Sequence, residues 1–245
     1  NLDGLTILKS PPGHFWADPF LADKYLFFED YDYEKGIISV GELDGLTLKN
    51  VRPVLVEREH LSFPSLLYDD GSWYMTPERH NARVLRVYRA TQFPDQWQPI
   101  VRVARGRFDD PLLRKTERGF EIWTTKADVL HVFEAKRIVG PWRLVRTHTA
   151  PFQRSAGNFI GDIRPTQDTK PVYGRAIKFL RGDEVVRTIE PTWYPNLTGT
   201  HTFNVSDTHV VIDGRIVVEG LPDPGRARPR PLLRVPPWLR AYMDW

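Results

Sequence analysis

Apolar and polar positions alternate along this chain in short runs rather than in helical turns. Trp16-Ala17-Asp18-Pro19-Phe20-Leu21 is followed by Tyr25-Leu26-Phe27-Phe28-Glu29-Asp30, and Leu61-Ser62-Phe63-Pro64-Ser65-Leu66 by Trp73-Tyr74-Met75-Thr76-Pro77-Glu78. Phe108-Asp109-Asp110-Pro111-Leu112-Leu113 precedes Phe120-Glu121-Ile122-Trp123-Thr124, Arg154-Ser155-Ala156-Gly157 precedes Asp162-Ile163-Arg164-Pro165-Thr166-Gln167, and His201-Thr202-Phe203-Asn204 precedes His209-Val210-Val211-Ile212-Asp213. Such runs, rich in β-branched and aromatic residues and broken by turn signals such as Asp70-Gly71, predict strands. No stretch holds a 3.6-residue apolar period for more than two turns.

The runs recur. Anchors at Pro19, Pro64, Pro111, Ala156 and His201 are separated by 45, 47, 45 and 45 residues. Further runs follow within the units, among them Gly36–Val40, Arg83–Tyr88, Val129–Phe133 and Arg175–Leu180, and a fourth often carries a tryptophan (Trp97, Trp142). Four strands per unit and five units of about 45 residues predict an all-β, five-bladed β-propeller over residues 1–221. A large β-sandwich is the plain alternative, and four nearly equal steps speak against it. Leu5–Leu8 and Arg215–Val218 are expected to share the last blade and close the ring.

Composition changes the picture in three ways. The 245 residues include no cysteine, which removes disulfides, thiolate nucleophiles and thiolate zinc sites together. Twelve per cent aromatic residues with 21 Pro and 17 Gly fit a turn-rich β protein with aromatic surfaces. The net charge is only +3, and five arginines (226, 228, 230, 234, 240) fall in a Pro/Arg-rich C-terminal extension, residues 222–245. The body is therefore near neutral, which argues against nucleic acid as a partner. The extension reads as a strap on the propeller or as a strip docking on a neighbouring glycosyltransferase domain or an acidic membrane surface. No apolar run reaches bilayer length and no leader pattern is present in these residues, so a cytoplasmic location is expected.

In a propeller the start of each innermost strand and the end of the next strand share one mouth. That rule gathers Trp16, Asp18, Glu29, Asp30, Ser62, Glu78, Asp109, Asp110, Lys126, Arg154, Gln167, Asp168, His201 and Asp213 there. A mouth ringed by carboxylates suits sugar chemistry, where one ionised carboxylate activates water and one protonated carboxyl serves the leaving oxygen. Asp18 is expected as general base, Glu78 as acid, and Asp110 as the group that orients or tunes them. Trp16, His60, Arg154, Arg164, Gln167, Asp168 and His201 are expected to hold the sugar. Each has a bland reading: Asp-Pro also starts turns, Asp109 reads as a loop acid, and the arginines pair with acids for structure alone. No metal site and no cofactor are expected, since no zinc spacing, phosphate loop or nucleophile elbow is present.

Phe15-Trp16-Ala17-Asp18-Pro19-Phe20, His60–Pro64 with Tyr74–Glu78, Arg154–Gly157 and Arg164–Asp168 with Tyr173-Gly174 together resemble a known group. It is the propeller domain at the N-terminus of glucosamine inositolphosphorylceramide transferases, itself similar to five-bladed glycosidases of family 43. The resemblance implies the propeller and a carbohydrate-related role. Family 43 enzymes are inverting and use an Asp base, an orienting Asp and a Glu acid. Asp18 matches the first. At the second this chain has Ser65 after Phe63-Pro64, and at the third Asp109-Asp110-Pro111 in place of Glu-x-Pro. Three functions therefore stand: a glycosidase-like enzyme, a non-catalytic glycan- or glycolipid-binding domain, and a protein-interaction scaffold.

Overall fold

The structure, a computed structural model, describes residues 5–216. Blade one is a four-stranded antiparallel sheet of β1 (Phe15–Ala22), β2 (Tyr25–Tyr31), β3 (Gly36–Asp44) and β4 (Thr47–Leu55). Blade two repeats it with β5 (His60–Asp69), β6 (Ser72–His80), β7 (Val84–Gln92) and β8 (Gln96–Arg105). Blade three does so with β9 (Asp109–Thr116), β10 (Gly119–Lys126), β11 (Val129–Ala135) and β12 (Arg143–His148). Blade four has three regular strands, β13 (Ile163–Asp168), β14 (Ala176–Arg181) and β15 (Glu184–Ile189). Its innermost position is taken by residues 154–160, whose ladder pairing with β13 is limited to isolated bridges at Ser155–Thr166 and Ile160–Ile163.

The expected five equal blades are thus four, with the fifth repeat reduced. Its strands are β16 (Leu197–Gly199), β17 (Phe203–Val205), β18 (Val210–Ile212) and β19 (Arg215–Ile216), paired as β16 with β19 and β17 with β18. The registers run on from one ladder to the next, so the two are lengths of one hairpin bent around Thr200–Thr202 and Asp213. Pro191, Pro195, Gly199 and Gly214 crowd this repeat and leave only two- and three-residue runs able to pair. Leu5–Leu8 forms no strand, and Arg215–Ile216 pairs within the hairpin instead. The extension at 222–245, with its docking role, lies outside the described residues.

Apolar strand faces meet between blades. Phe20, Phe27, Ile38, Leu61, Phe63, Met75 and Leu112 pack into one buried cluster from the first three blades, and Tyr74, Val87, Leu113, Ile122 and Phe133 into another between the second and third. A smaller cluster joins Ala156, Ile177 and Phe179 to Phe203 and Ile212. Several aromatics expected on surfaces serve this packing: Trp73 stacks on Phe93 at 4.9 Å, and Trp97 meets Phe27 edge-on at 5.8 Å. Gly157 (φ +134°) lies against the Phe203 carbonyl, where a side chain would collide with backbone, so the close approach of the fourth unit to the fifth requires glycine there. Among the described residues there is no helix long and apolar enough to cross a membrane.

One irregularity repeats. The innermost strands of the first three blades each carry a bulge, and the residues before Pro19, Pro64 and Pro111 (Asp18, Phe63 and Asp110) have φ of +51°, +45° and +43°. Left-handed backbone is strained for a residue as bulky as Phe63. The strain is held from next door, because Phe63 N donates to Asp18 Oδ2 at 3.0 Å.

Candidate functional site at the mouth of the ring

Two charged clusters stand at the mouth. In the first, Arg154 of the fourth unit donates through Nε to Asp110 Oδ2, and its Nη2 lies 3.6 Å from Glu78 Oε2. Gln167 Nε2 donates to the same Asp110 oxygen at 2.6 Å and to Ser155 O at 2.8 Å. Glu78 Oε2 accepts the Asp110 N–H at 2.8 Å, which fixes the third bulge from the second blade. One guanidinium therefore serves two buried carboxyl groups.

Those two titrate apart. Burial alone would raise Glu78, but His80, Arg154 and the Asp110 backbone and side chain outweigh it and hold the pKa at about 2. Asp110 is pushed well above the usual carboxylate range by burial, against the pull of Arg154 and reinforced by the charges of Glu78 and Asp18. Burial and neighbouring charge thus push the two carboxyl groups in opposite directions. Glu78, expected as proton donor, is ionised at neutral pH.

In the second cluster His201 Nδ1 lies 2.8 Å from Asp213 Oδ2 and 3.4 Å from Asp18 Oδ1. Asp213 Oδ1 accepts the N–H groups of His201 and Thr202 at 2.8 and 3.0 Å, and Asp213 Oδ2 that of Asp18 at 3.4 Å. Asp18 Oδ1 accepts the Thr202 hydroxyl at 2.6 Å. Burial would lower His201, yet Asp213 outweighs it and raises the imidazole to about 9. Burial, against His201 and with Glu29 and Asp213, lifts Asp18 to about 6. Asp18, His201 and Asp213 each offer one atom within 4.8 Å of the others and could hold a metal ion. The His201 proton offsets one of the two carboxylate charges.

The remaining expected residues divide. His60 closes the seam between blades one and two: its Nε2 meets Glu29 Oε1 at 2.8 Å and its Nδ1 accepts the Gly36 N–H at 3.0 Å. A side chain at Gly36 would overlap that ring, so the tight fit requires glycine there. Trp16 packs on Phe28 with centroids 4.6 Å apart, and its buried indole N–H has no hydrogen-bond partner among the described residues. Asp168 turns away to Arg175 at 2.9 Å and Lys178 at 3.7 Å. Arg164 leaves the mouth altogether: it is 4% exposed, donates to Gln153 O and Oε1 at 2.8 Å, and lies over Trp123. Lys126 is exposed beside Phe108, and Thr125 is buried in its place.

Sequence reasoning passed over Asp109. Its carboxyl is partly exposed, accepts no hydrogen bond among the described residues, and is lifted to about 6 by burial and Glu78 against Arg154. Strand alternation carried the signal, since adjacent Asp109 and Asp110 cannot face the same way. Tyr173 was missed as a binding face as well. It is 38% exposed, with its ring 5.2 Å from His201 and the Arg154 guanidinium 5.3 Å from its centroid. On the other side Tyr31 meets His60 edge-on at 5.2 Å.

Fold and site together define a β-propeller with a polar mouth of paired acids and cations rimmed by tyrosines. Residues 6–186 match the family described as glucosamine inositolphosphorylceramide transferase 1, N-terminal, and the chain belongs to that family. Relatives include the glucosamine inositolphosphorylceramide transferase 1 of Oryza sativa subsp. japonica, 29% identical over 206 residues (72% of this chain, 27% of the relative). That of Arabidopsis thaliana is 37% identical over 95 residues (36% of this chain, 12% of the relative). The chain therefore spans about a quarter of the rice relative it matches. Among solved structures, a GH93 α-L-arabinofuranosidase of Fusarium graminearum with arabinobiose aligns at TM-score 0.48 and 10% identity, covering 76% of this chain and 69% of that one. An endo-1,4-β-xylanase of Bacteroides thetaiotaomicron aligns at 0.41 and 14%, covering 83% and 76%. Likeness at these scores carries no argument about the site.

Proposed function

We propose that the mouth binds a carbohydrate without cleaving it, and that this domain works beside a sugar-transferring domain, as the name of its relatives suggests. One observation carries the reading: each of the three acids expected to do chemistry spends at least one carboxylate oxygen on a neighbouring unit. Asp18 holds Phe63 and Thr202, Glu78 holds the Asp110 backbone, and Asp110 holds Arg154 and Gln167. The groups left at the rim are those that bind sugars elsewhere: the exposed edge of Arg154, the His201 imidazole, and the Tyr31 and Tyr173 rings. A fifth equivalent blade is not needed, because the bent hairpin already supplies His201 and Asp213.

A second reading is favoured by Asp109 alone. A partly exposed carboxyl near pKa 6, with no hydrogen-bond donor among the described residues, is suited to give a proton to a leaving oxygen. In that case Asp109 is the acid, and Asp18, also near 6, is the base of an inverting glycosidase.

A glycan panel followed by incubation with each bound sugar separates the two. The first reading expects saturable binding, weakened about tenfold by Tyr173→Ala, with the glycan recovered intact. Released sugar that disappears in Asp109→Asn replaces it with the second. A panel with no bound glycan ends both and leaves the scaffold.

A further inference from the structure

The sheet face of blade three that meets blade four carries a cluster unrelated to the mouth. Register places it: Arg114 of β9 stands opposite Glu121 of β10, Trp123 of β10 opposite Val132 of β11, and Val132 opposite Arg146 of β12. Arg146 reaches over the buried Val132 to Trp123, its guanidinium carbon 4.4 Å from the ring centroid. Arg114 lies 5.2 Å from the same centroid and 4.0 Å from that of Phe159. Arg164 comes from blade four at 5.3 Å. Three guanidinium groups therefore share one indole.

Their charge is only partly answered. Glu121 is the acid on this face, and it is taken by Arg114 Nε at 2.7 Å and Nη2 at 2.6 Å while also accepting the Trp123 N–H at 2.7 Å. The next carboxylate, Asp183, is engaged by His148 at 3.0 Å. Arg164 has only neutral Gln153 oxygens as partners. Arg146 is exposed and makes no hydrogen bond or ion pair among the described residues. Burial and the repulsion of Arg146, with a smaller push from Arg114 and against the pull of Asp183, lower Arg164 to about 10. Aromatic stacking lets the guanidinium planes crowd together, but it does not neutralise them.

We propose that this seam is a binding site for a phosphate group. An anion held by Arg146 would supply the missing charge. The exposed planar fork of Arg146 matches the tetrahedral face of a phosphate and can give it paired N–H donors, while the buried Arg164, whose Nη groups serve Gln153, contributes its charge. The site is distinct from the mouth, so it stands whether or not the sugar reading holds.

The test is calorimetric titration of the 245-residue protein with inorganic phosphate and with glycerol 3-phosphate at fixed ionic strength, beside co-sedimentation with phosphatidylcholine vesicles with and without phosphatidic acid. Saturable phosphate binding that falls at least about tenfold in Arg146→Gln, and partly returns in Arg146→Lys, is the expected result. Arg146 is exposed and unbonded, so both variants keep the fold, which the unchanged melting of ligand-free protein verifies. Binding of the soluble probes alone assigns a soluble phosphate ester. An added vesicle-bound fraction that Arg146→Gln removes assigns a lipid headgroup. No saturable binding by any probe, or binding that Arg146→Gln leaves unchanged, overturns the site.

Discussion

The two clusters at the mouth follow one plan with different cations. Between blades two, three and four, Arg154 stands among Glu78, Asp110 and Gln167. Between the last repeat and blade one, His201 stands between Asp213 and Asp18. Both bind two carboxyl groups to one cation, and both use a carboxylate to catch the backbone N–H of the next innermost strand. Arginine keeps its charge at any pH a protein meets, whereas the imidazole titrates. The permanent cation joins full sheets. The titratable one joins the short bent hairpin, where few ladder bonds are available to hold the ring. The weakest part of the fold is therefore also the part whose glue depends on pH.

The largest effect is expected where one acceptor serves most donors. Asp213→Ala strips the His201 side chain and three backbone N–H groups of their partner, and should cost about 3–5 kcal/mol in denaturant unfolding, as breaking a buried ion pair does. A loss under about 1 kcal/mol would mean that the hairpin is held by other contacts.

The pH dependence should be gentler and has a defined sign. His201 has a folded pKa raised from 6.5 to about 9, so its stabilisation is complete below about pH 6.5 and disappears as pH rises through 9. Glu78 is lowered to about 2, so its contribution is present above its ordinary 4.5 and fades as pH falls towards 2. Melting temperature should decline from pH 6.5 to 9.5, and His201→Gln should flatten that decline while Arg154→Gln leaves the slope in place. The smallest effect belongs to the outer edge. Arg181→Ala breaks an exposed pair with Asp162 and should change stability by less than about 0.5 kcal/mol.

Much of this was legible in the chain. Pro19, Pro64 and Pro111 repeat because the same bulge recurs in three blades, so spacing alone found the units and their mouth. Spacing could not show that the last repeat would break into a bent hairpin, because that depends on Pro191, Pro195 and the paired glycines interrupting ladders rather than on any anchor. Nor could it show where side chains point. Arg164 and Asp168 lie four residues apart on one strand face, and both are buried against partners away from Asp110, while the intervening Gln167 turns to Asp110. Asp109 and Asp110 look interchangeable in sequence, yet one is locked between blades and the other meets solvent.

That last contrast is the most direct test of the account, whose central claim is that buried acids bind the blades together while the rim meets the ligand. Asp18→Ala and Asp109→Ala remove the same chemical group from the same mouth, and their unfolding free energies at pH 7 should diverge. Asp18→Ala leaves the Phe63 N–H without its acceptor and the Thr202 hydroxyl with His201 alone, and should lose about 2–4 kcal/mol. Asp109→Ala removes a partly desolvated charge that no donor supports, and should leave stability unchanged or slightly raised. Equal losses in the two variants, or a larger loss at Asp109, would contradict the division between seam and rim.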